Sequence, residues 1–546
     1  MTSTNLTLDP RFFDLGDIRA VQGRSWIPLR QEQPEDHESP IPGVGGVHTY
    51  SGVATLAVAA DDRATVDAFG WSDVDVSTHR PNQDDGVYRP VDLHYDWGEK
   101  RKAVGVRLVL AQHIRETDQI WRLHPDVVIA LKLEREGDSW FRPDEGWAEV
   151  ARLKHNKDGR PVLLEMRAEM LSDYLAARRM ALFLSSYHER AAFFEARPPY
   201  PWVDEPIEET VGRDSRERYI ATAEFPPERR FHYRGLGALW RTEWFEPGTT
   251  SIRVRGDEEP GNVTFAVGTS GERKSATECV RAMTYLAFEP ALVPALLRYR
   301  SGSLGWYSRD TGGIGAATNG VHFGVNHLGL ITIFAKDIAN LDGWEQPAWA
   351  AHSVALDGGV STELFDTQMN CKPASTRAPE TQIAPVLKDL NTKFEGRFGA
   401  PLLRDNEAIG GIVRRAHRFR AVEHDGLLAL AKDLSRLLME RMDIAQLRSA
   451  AETPAKDKLG SLKALERLLE KAVSGDEARE MMAPLFGIYD LRNADAHLGS
   501  SLEESGFQRS KVDRKSPLVD QGRQLLEAFV ETVRSVATAI DKIPNV

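Results

Sequence analysis

From about residue 404 to the end, apolar side chains recur at the three- and four-residue spacing of a helix, which constrains the fold more than any other feature. Leu427, Leu428, Leu430, Leu434, Leu437, Leu438 and Met442 form one stripe, and Leu459, Leu462, Leu465, Leu468, Leu469 and Val473 form a second. Leu525, Leu526, Phe529, Val533, Val536 and Ile540 form another close to the C-terminus. Between the second and the last, a further helix is expected to end near residues 489–497. Helices striped in this way bury their apolar faces against one another, so residues 404–546 are expected to make an antiparallel bundle of four helices. Part of that apolar surface would also suit a face between two copies of the chain.

The preceding residues read differently, and a chain of 546 residues is too long for one ordinary core. The expected fold is a multidomain α+β protein: a mixed α/β N-terminal region, a β-rich middle region and the all-α bundle. In residues 1–200 the runs Val53–Val58, Val104–Leu110, Val127–Leu131 and Val162–Leu164 read as strands, the last preceded by an Asp158-Gly159 turn. From Ala168, the residues Met170, Leu171, Tyr174, Leu175, Met180, Leu182 and Phe183 suggest one helix, ended by Pro198-Pro199-Tyr200-Pro201. Residues 201–403 look β-rich, with a hairpin from Val321–Val325 and Leu328–Phe334 through Asn326-His327. A helix over Ala276–Leu297, bent by Pro290 and Pro294, interrupts them, and Pro373–Pro379 resembles a linker.

Composition narrows the function classes. Hydrophobic residues at 41% and charged residues at 27% describe a soluble globular chain. A net charge of −12 argues against coating nucleic acid wholesale, but it leaves room for a local basic site. Cys279 and Cys371 are the two cysteines, too few for a disulfide framework or a four-thiolate metal site. The N-terminus lacks a basic region followed by an apolar run, and no membrane-spanning run is evident, so a cytoplasmic location away from the membrane is expected.

Chemistry concentrates in Tyr489-Asp490-Leu491-Arg492-Asn493-Ala494-Asp495-Ala496-His497. On a helix, Arg492 and His497 project from one broad side, roughly 140° apart. Arg is a permanent cation whose fork matches phosphate oxygens, and His moves a proton near neutral pH, a pairing that suits phosphodiester cleavage. The same residues allow a structural reading, in which Arg492 bridges to Asp490 or Asp495 and His497 caps the helix ahead of Gly499.

An Arg, a polar residue, three further residues and a His, late in a helical bundle, resemble the signature of the HEPN superfamily. The resemblance covers residues 404–546 and leaves the earlier residues unassigned. It implies a metal-independent endoribonuclease without a cofactor, working on RNA as a homodimer whose two motifs face each other. His497 would then handle the proton of the 2′-hydroxyl or of the leaving group, Arg492 would neutralise charge growing on the phosphoryl oxygens, and Asn493 would orient one or the other. DNA lacks the 2′-hydroxyl and should be spared. The family further suggests a regulated toxin or anti-phage defence protein of the abortive-infection type. Residues 1–200 and 201–403 would then sense or scaffold, answering a phage-derived or small-molecule trigger. Some members are inactive, so the alternative is a binding or dimerisation module in a sensor or assembly protein. A tyrosine two residues after the His marks one toxin branch, and Gly499 stands there instead.

Arg414, Arg415, Arg418 and Arg420, with His417 and Phe419 among them, form a basic cluster suited to an RNA backbone. A solvated helix face paired with Glu423 and Asp425 is the other reading. Gly312-Gly313-Ile314-Gly315 with Gly320 could cradle a phosphate, flanked by Trp306, Tyr307 and Arg309, but the run leads into a strand pattern and suits a glycine-rich turn better. Asp126, Glu165 and Arg167 are too loosely spaced for a metal-dependent nuclease. His188-Glu189 lacks the second His of a zinc protease.

Overall fold

The computed structural model describes residues 8–74, 93–96, 99–102, 104–113, 119–257, 263–281, 283–317, 320–453, 459–494 and 501–544. The chain is a multidomain α+β protein of two compact units, Met1–Pro260 and Gly261–Val546. No helix among the described residues is long and apolar enough to cross a membrane.

The first unit is built on an antiparallel sheet of ten strands. In chain order they are β1 (Trp26–His37), β2 (Val44–Ala59), β3 (Glu134–Glu136), β4 (Ser139–Arg142), β5 (Ala148–His155), β6 (Pro161–Arg167), β7 (Met180–Phe194), β8 (Ile207–Val211), β9 (Asp214–Thr222) and β10 (Tyr233–Phe245). Their order across the sheet is β8-β9-β10-β7-β2-β1-β6-β5-β4-β3. Because β9 and β10 continue the sheet begun by β1 and β2, a boundary at Pro198–Pro201 would cut it, and the chain divides at residue 260 instead.

Two local readings change for physical reasons. Val127–Leu131 belongs mainly to helix α1 (Pro125–Ala130), started by a proline in its first turn and by His124, whose Nδ1 accepts from the Asp126 N–H at 3.1 Å. Helix α2 (Ala168–Arg178) stops at Arg179, which turns left-handed with φ 53°, and Met180 opens β7. Leu182 and Phe183 are apolar neighbours because both faces of β7 are covered there. Leu182 packs with Leu171 and Leu175, and Phe183 with Val66 and Val74. A strand buried on both faces loses the alternation that would distinguish it from a helix.

The N-terminal segment straps across the sheet on the face that carries His188. Arg190 donates to the carbonyls of Phe12 and Asp14, both at 3.1 Å, while Arg241 donates to that of Ile18 at 2.9 Å. The segment lies so close that a Cβ on Gly237 would sit 2.2 Å from the Phe13 carbonyl oxygen.

The second unit joins an antiparallel sheet of eight strands to a helical array. The expected helix over 276–297 is two short ones, α3 (Ala276–Arg281) and α4 (Leu292–Leu296), separated by the buried strand β11 (Tyr285–Phe288). The glycine-rich run is strand β13 (Thr311–Gly315), paired with β12 (Ser303–Trp306) and β14 (Val321–Val325). Its glycine at 312 permits close backbone approach, since a Cβ there would lie 2.2 Å from the Gly305 carbonyl oxygen. The expected hairpin forms between β14 and β15 (Ile331–Phe334), where the Asn326 side chain accepts from the Leu328 and Leu330 N–H groups at 3.0 Å.

The helical array begins earlier than residue 404. Helix α5 (Ile383–Phe398) buries Ile383, Leu387, Leu390 and Phe394 in one core with Leu427, Leu465 and Phe529. The other long elements are α6 (His424–Leu438), α7 (Ser461–Leu469), α8 (Gly475–Ala494), α9 (Ser501–Ser510) and α10 (Leu518–Asp541). Helices α8 and α9 meet backbone to backbone, because a Cβ on Gly487 would lie 2.6 Å from the Ser510 nitrogen and 2.7 Å from the Gly506 oxygen. Gly487→Ala is therefore expected to destabilise the chain by about 1–3 kcal/mol in urea denaturation. Gly410→Ala, in a helix with open space around it, should be neutral or stabilising by up to about 1 kcal/mol. Equal stability of the two variants would show that the helices separate without cost.

Candidate functional site

Helix α8 presents the Arg492 stretch. A capping box starts it: the Ser474 N–H donates to Glu477 Oε2 at 2.9 Å, and the Glu477 N–H to Ser474 Oγ at 3.3 Å. Ala478, Met482, Leu485, Ile488 and Leu491 bury one side of the helix. That leaves Tyr489 exposed and Arg492 and Asn493 partly exposed at its C-terminal end.

The Arg492 side chain is 30% exposed, and its Nη2 lies 2.7 Å from Glu440 Oε1. Its guanidinium carbon sits 5.7 Å from the centre of the Tyr489 ring. Asp490, a partner suggested by sequence proximity, is used elsewhere: it is buried and accepts from Ser505 Oγ at 3.1 Å and Arg509 Nη1 at 3.0 Å. Sequence reasoning missed Glu440, which no periodicity connects to a residue on another helix. His497 and Asp495 lie outside the described residues. What the described part offers is a cation on a partly open surface, held by one exposed carboxylate. Such pairs contribute little, so a phosphate could replace Glu440 at small cost.

The basic cluster is broken up by the fold. Arg414 is exposed. Arg415 forms a two-pronged pair with Asp433, both bonds 2.8 Å, and Arg420 approaches the same carboxylate at 3.9 Å. Arg418 points inward. Its side chain is 1% exposed, bonds to Glu380 at 2.8 and 3.1 Å, and lies 4.2 Å over the Trp306 ring, which stacks on Phe419. It cannot touch an RNA backbone in this fold. The apolar neighbours Ala416 and Phe419 bury with it, so this turn is core and not a solvated face.

His417 is buried beside this knot, with no hydrogen-bond partner for Nδ1. Burial pulls its pKa from the usual 6.5 down to about 4, with Arg420 and Arg418 adding to the shift against the opposing pull of Glu380. The unfolded chain binds this proton near pH 6.5, before the folded chain does. The contribution is complete above pH 6.5 and is lost as the pH falls toward 4, at most about 3 kcal/mol. His417→Gln should flatten the decline in stability across that window. An unchanged slope in acid-series denaturation would remove His417 as its source.

The other sequence candidates separate. Arg309 pairs with Asp310 and Trp306 is committed to Arg418, while Tyr307 is exposed beside His322. Asp126 accepts from the Tyr174 hydroxyl at 2.8 Å, whereas Glu165 is held by Arg152 and Lys154, so the two acids form no common site. Arg167 donates to the Glu149 carbonyl at 2.6 Å. His188 lies buried on the strapped face of the first sheet, its pKa near 4 through burial and the nearby Arg241, Arg24 and Arg190. Comparison of the chain with models of protein families, with curated proteins and with solved structures finds no match.

Proposed function

We propose that the chain is a metal-independent endoribonuclease that cuts RNA through Arg492, Asn493 and His497. One observation carries the reading: Arg492 lies in the last described turn of α8 on a partly open surface, beside Asn493, held by an exposed carboxylate and not consumed in the core. Arg492 supplies charge to the phosphoryl oxygens, and His497 moves the proton of the 2′-hydroxyl or leaving oxygen. The enzyme works in the cytoplasm as a homodimer in which two such motifs complete the site. The residues ahead of the helical array hold it inactive until a phage-derived or small-molecule trigger arrives, as befits a defence toxin.

The test is cleavage of single-stranded RNA by the full chain in EDTA. RNA should be cut and DNA of the same sequence left intact, because attack needs the neighbouring 2′-hydroxyl. Cleavage of both, or of neither under triggered and untriggered conditions, would sink the reading. The Arg492–Glu440 pair also suits a second one, an inactive binding or dimerisation module in which the pair ties α8 to the chain beyond α6. Under it, removal of Arg492 would alter assembly and leave RNA intact.

A further inference from the structure

The two faces of the ten-stranded sheet are unlike. Among the described residues, Val66, Phe69, Trp71 and Val74 roof the end of the sheet near Phe183, opposite the N-terminal strap. Beyond Trp71 the face opens into a cleft of about 640 Å³, floored by β2, β7, β9 and β10 and overhung by Pro206, Glu224 and Phe225. A volume of this order is common among ligand sites, and Phe193, Tyr219 and Phe225 line this one among its charged groups.

Strand register sets a row of residues that reaches the cleft at Glu189 and continues beside it. Glu208, Glu217, Ala238, Glu189 and Tyr50 fall in one row across five strands. Two carboxylates, Glu208 and Glu217, therefore stand directly opposite each other, an arrangement that costs stability unless something positive intervenes. Burial, followed by the charges of Glu208 and Glu189, raises the pKa of Glu217. In the cleft itself, Glu189 accepts from Arg234 Nη2 at 2.6 Å and from the Tyr187 hydroxyl. Asp36 contacts His48 Nδ1 at 2.8 Å. The lining thus sets Asp36, Glu189 and Glu224 against one arginine and one histidine, a surplus of negative charge.

Aromatic faces lie alongside that surplus. Phe193, Tyr219 and Phe225 line the same cleft, and Phe225 on the rim is 88% exposed. Carboxylates attract any cation, but aromatic rings add selectivity for one with an organic body and a delocalised or weakly hydrated charge. An anion would be repelled, and a neutral ligand would leave the surplus charge of Asp36, Glu189 and Glu224 unrelieved.

We propose that this cleft binds an organic cation, an amine or guanidinium carried on an aliphatic chain. Free polyamines and the Lys or Arg side chains of a peptide share that chemistry. The proposal stands independently of the ribonuclease reading, because every residue it uses lies in the first unit.

Isothermal titration of the full chain with spermidine, with a short Lys-containing peptide free of Arg, and with the fully acetylated, uncharged form of each tests it. Saturable binding by spermidine or peptide, weakened by salt and absent from the acetylated forms, is the expected result, and the probe that binds identifies the source. Asp36→Asn with Glu189→Gln should weaken binding tenfold or more. Since Glu189 also holds Arg234, the rim variants Glu224→Gln and Phe225→Ala provide a check on residues that support nothing in the fold. Each should weaken binding about two- to fivefold. No saturable binding by either probe, equal binding of the acetylated forms, or undiminished affinity in all of these variants would overturn the proposal. A His497→Ala chain should bind the cation as the parent does, which keeps failure here distinct from failure of the ribonuclease reading.

Discussion

Replacing His497 or Arg492 by alanine is expected to lower RNA cleavage in EDTA by about two to four orders of magnitude, the usual worth of a positioned proton donor or acceptor. The Arg492 effect should be of similar size, because loss of one preorganised charge at the phosphoryl oxygens commonly costs about 10²–10³ in rate. Helix α8 buries the side away from Arg492, so the Arg492 change should not unfold the chain, and circular dichroism with denaturation midpoints would check the fold of both variants. Glu440→Gln gives a complementary readout. It frees Arg492 from its carboxylate and should lower KM for RNA, with little change in kcat if the pair only competes with phosphate. Alanine variants that cut at the parent rate would end the catalytic assignment. Variants that fail to assemble, with the parent equally unable to cut RNA, would establish the module reading.

Arg418→Met is expected to cost about 3–5 kcal/mol, the largest stability effect in the second unit, since it strands Glu380 as a buried, uncompensated charge. The Glu380 side chain is only 5% exposed and accepts two of the bonds that Arg418 donates. Restoring neutrality with Arg418→Met and Glu380→Leu together should recover much of the loss, because replacing both members of a buried pair is often near neutral. Arg414→Ala, on the exposed neighbour, should stay within about 0.5 kcal/mol. Urea denaturation of the four chains would decide the matter. An Arg418→Met chain as stable as the parent would mean that Glu380 finds water or another donor.

Much of the helical region was legible because burial on one side of a helix writes its period into the sequence. The stripes ending at Met442, Val473 and Ile540 match α6, α7 and α10 closely for that reason. Helix α5 escaped notice behind a proline-rich stretch, although Leu387, Leu390 and Phe394 carry the same spacing. The sheets were less legible where both faces are covered, as around Leu182 and Phe183, or where a capping residue outweighs β-branched content, as after His124. The basic cluster misled for a different reason. Five charged or titratable residues within seven positions look like a surface, but Glu380 and Trp306, both remote in sequence, draw Arg418 inside. The pairing of Arg492 with Glu440 was equally invisible, since it depends on how the turn just beyond α6 meets the last described turn of α8.

The knot around Arg418 also bears on how this protein can be divided or inherited. Phe419 and Val519, from the helical array, lie in the same core as Phe323 and Ile333 of the eight-stranded sheet. A fragment cut at residue 404 would forfeit both that core and helix α5. Helices and sheet should therefore melt in one transition, and the end of α8 is not a cassette that recombination can lift out alone. A lineage that changes the sheet must keep a surface on which Phe419 and Val519 still fit, so drift in one part is policed by the other.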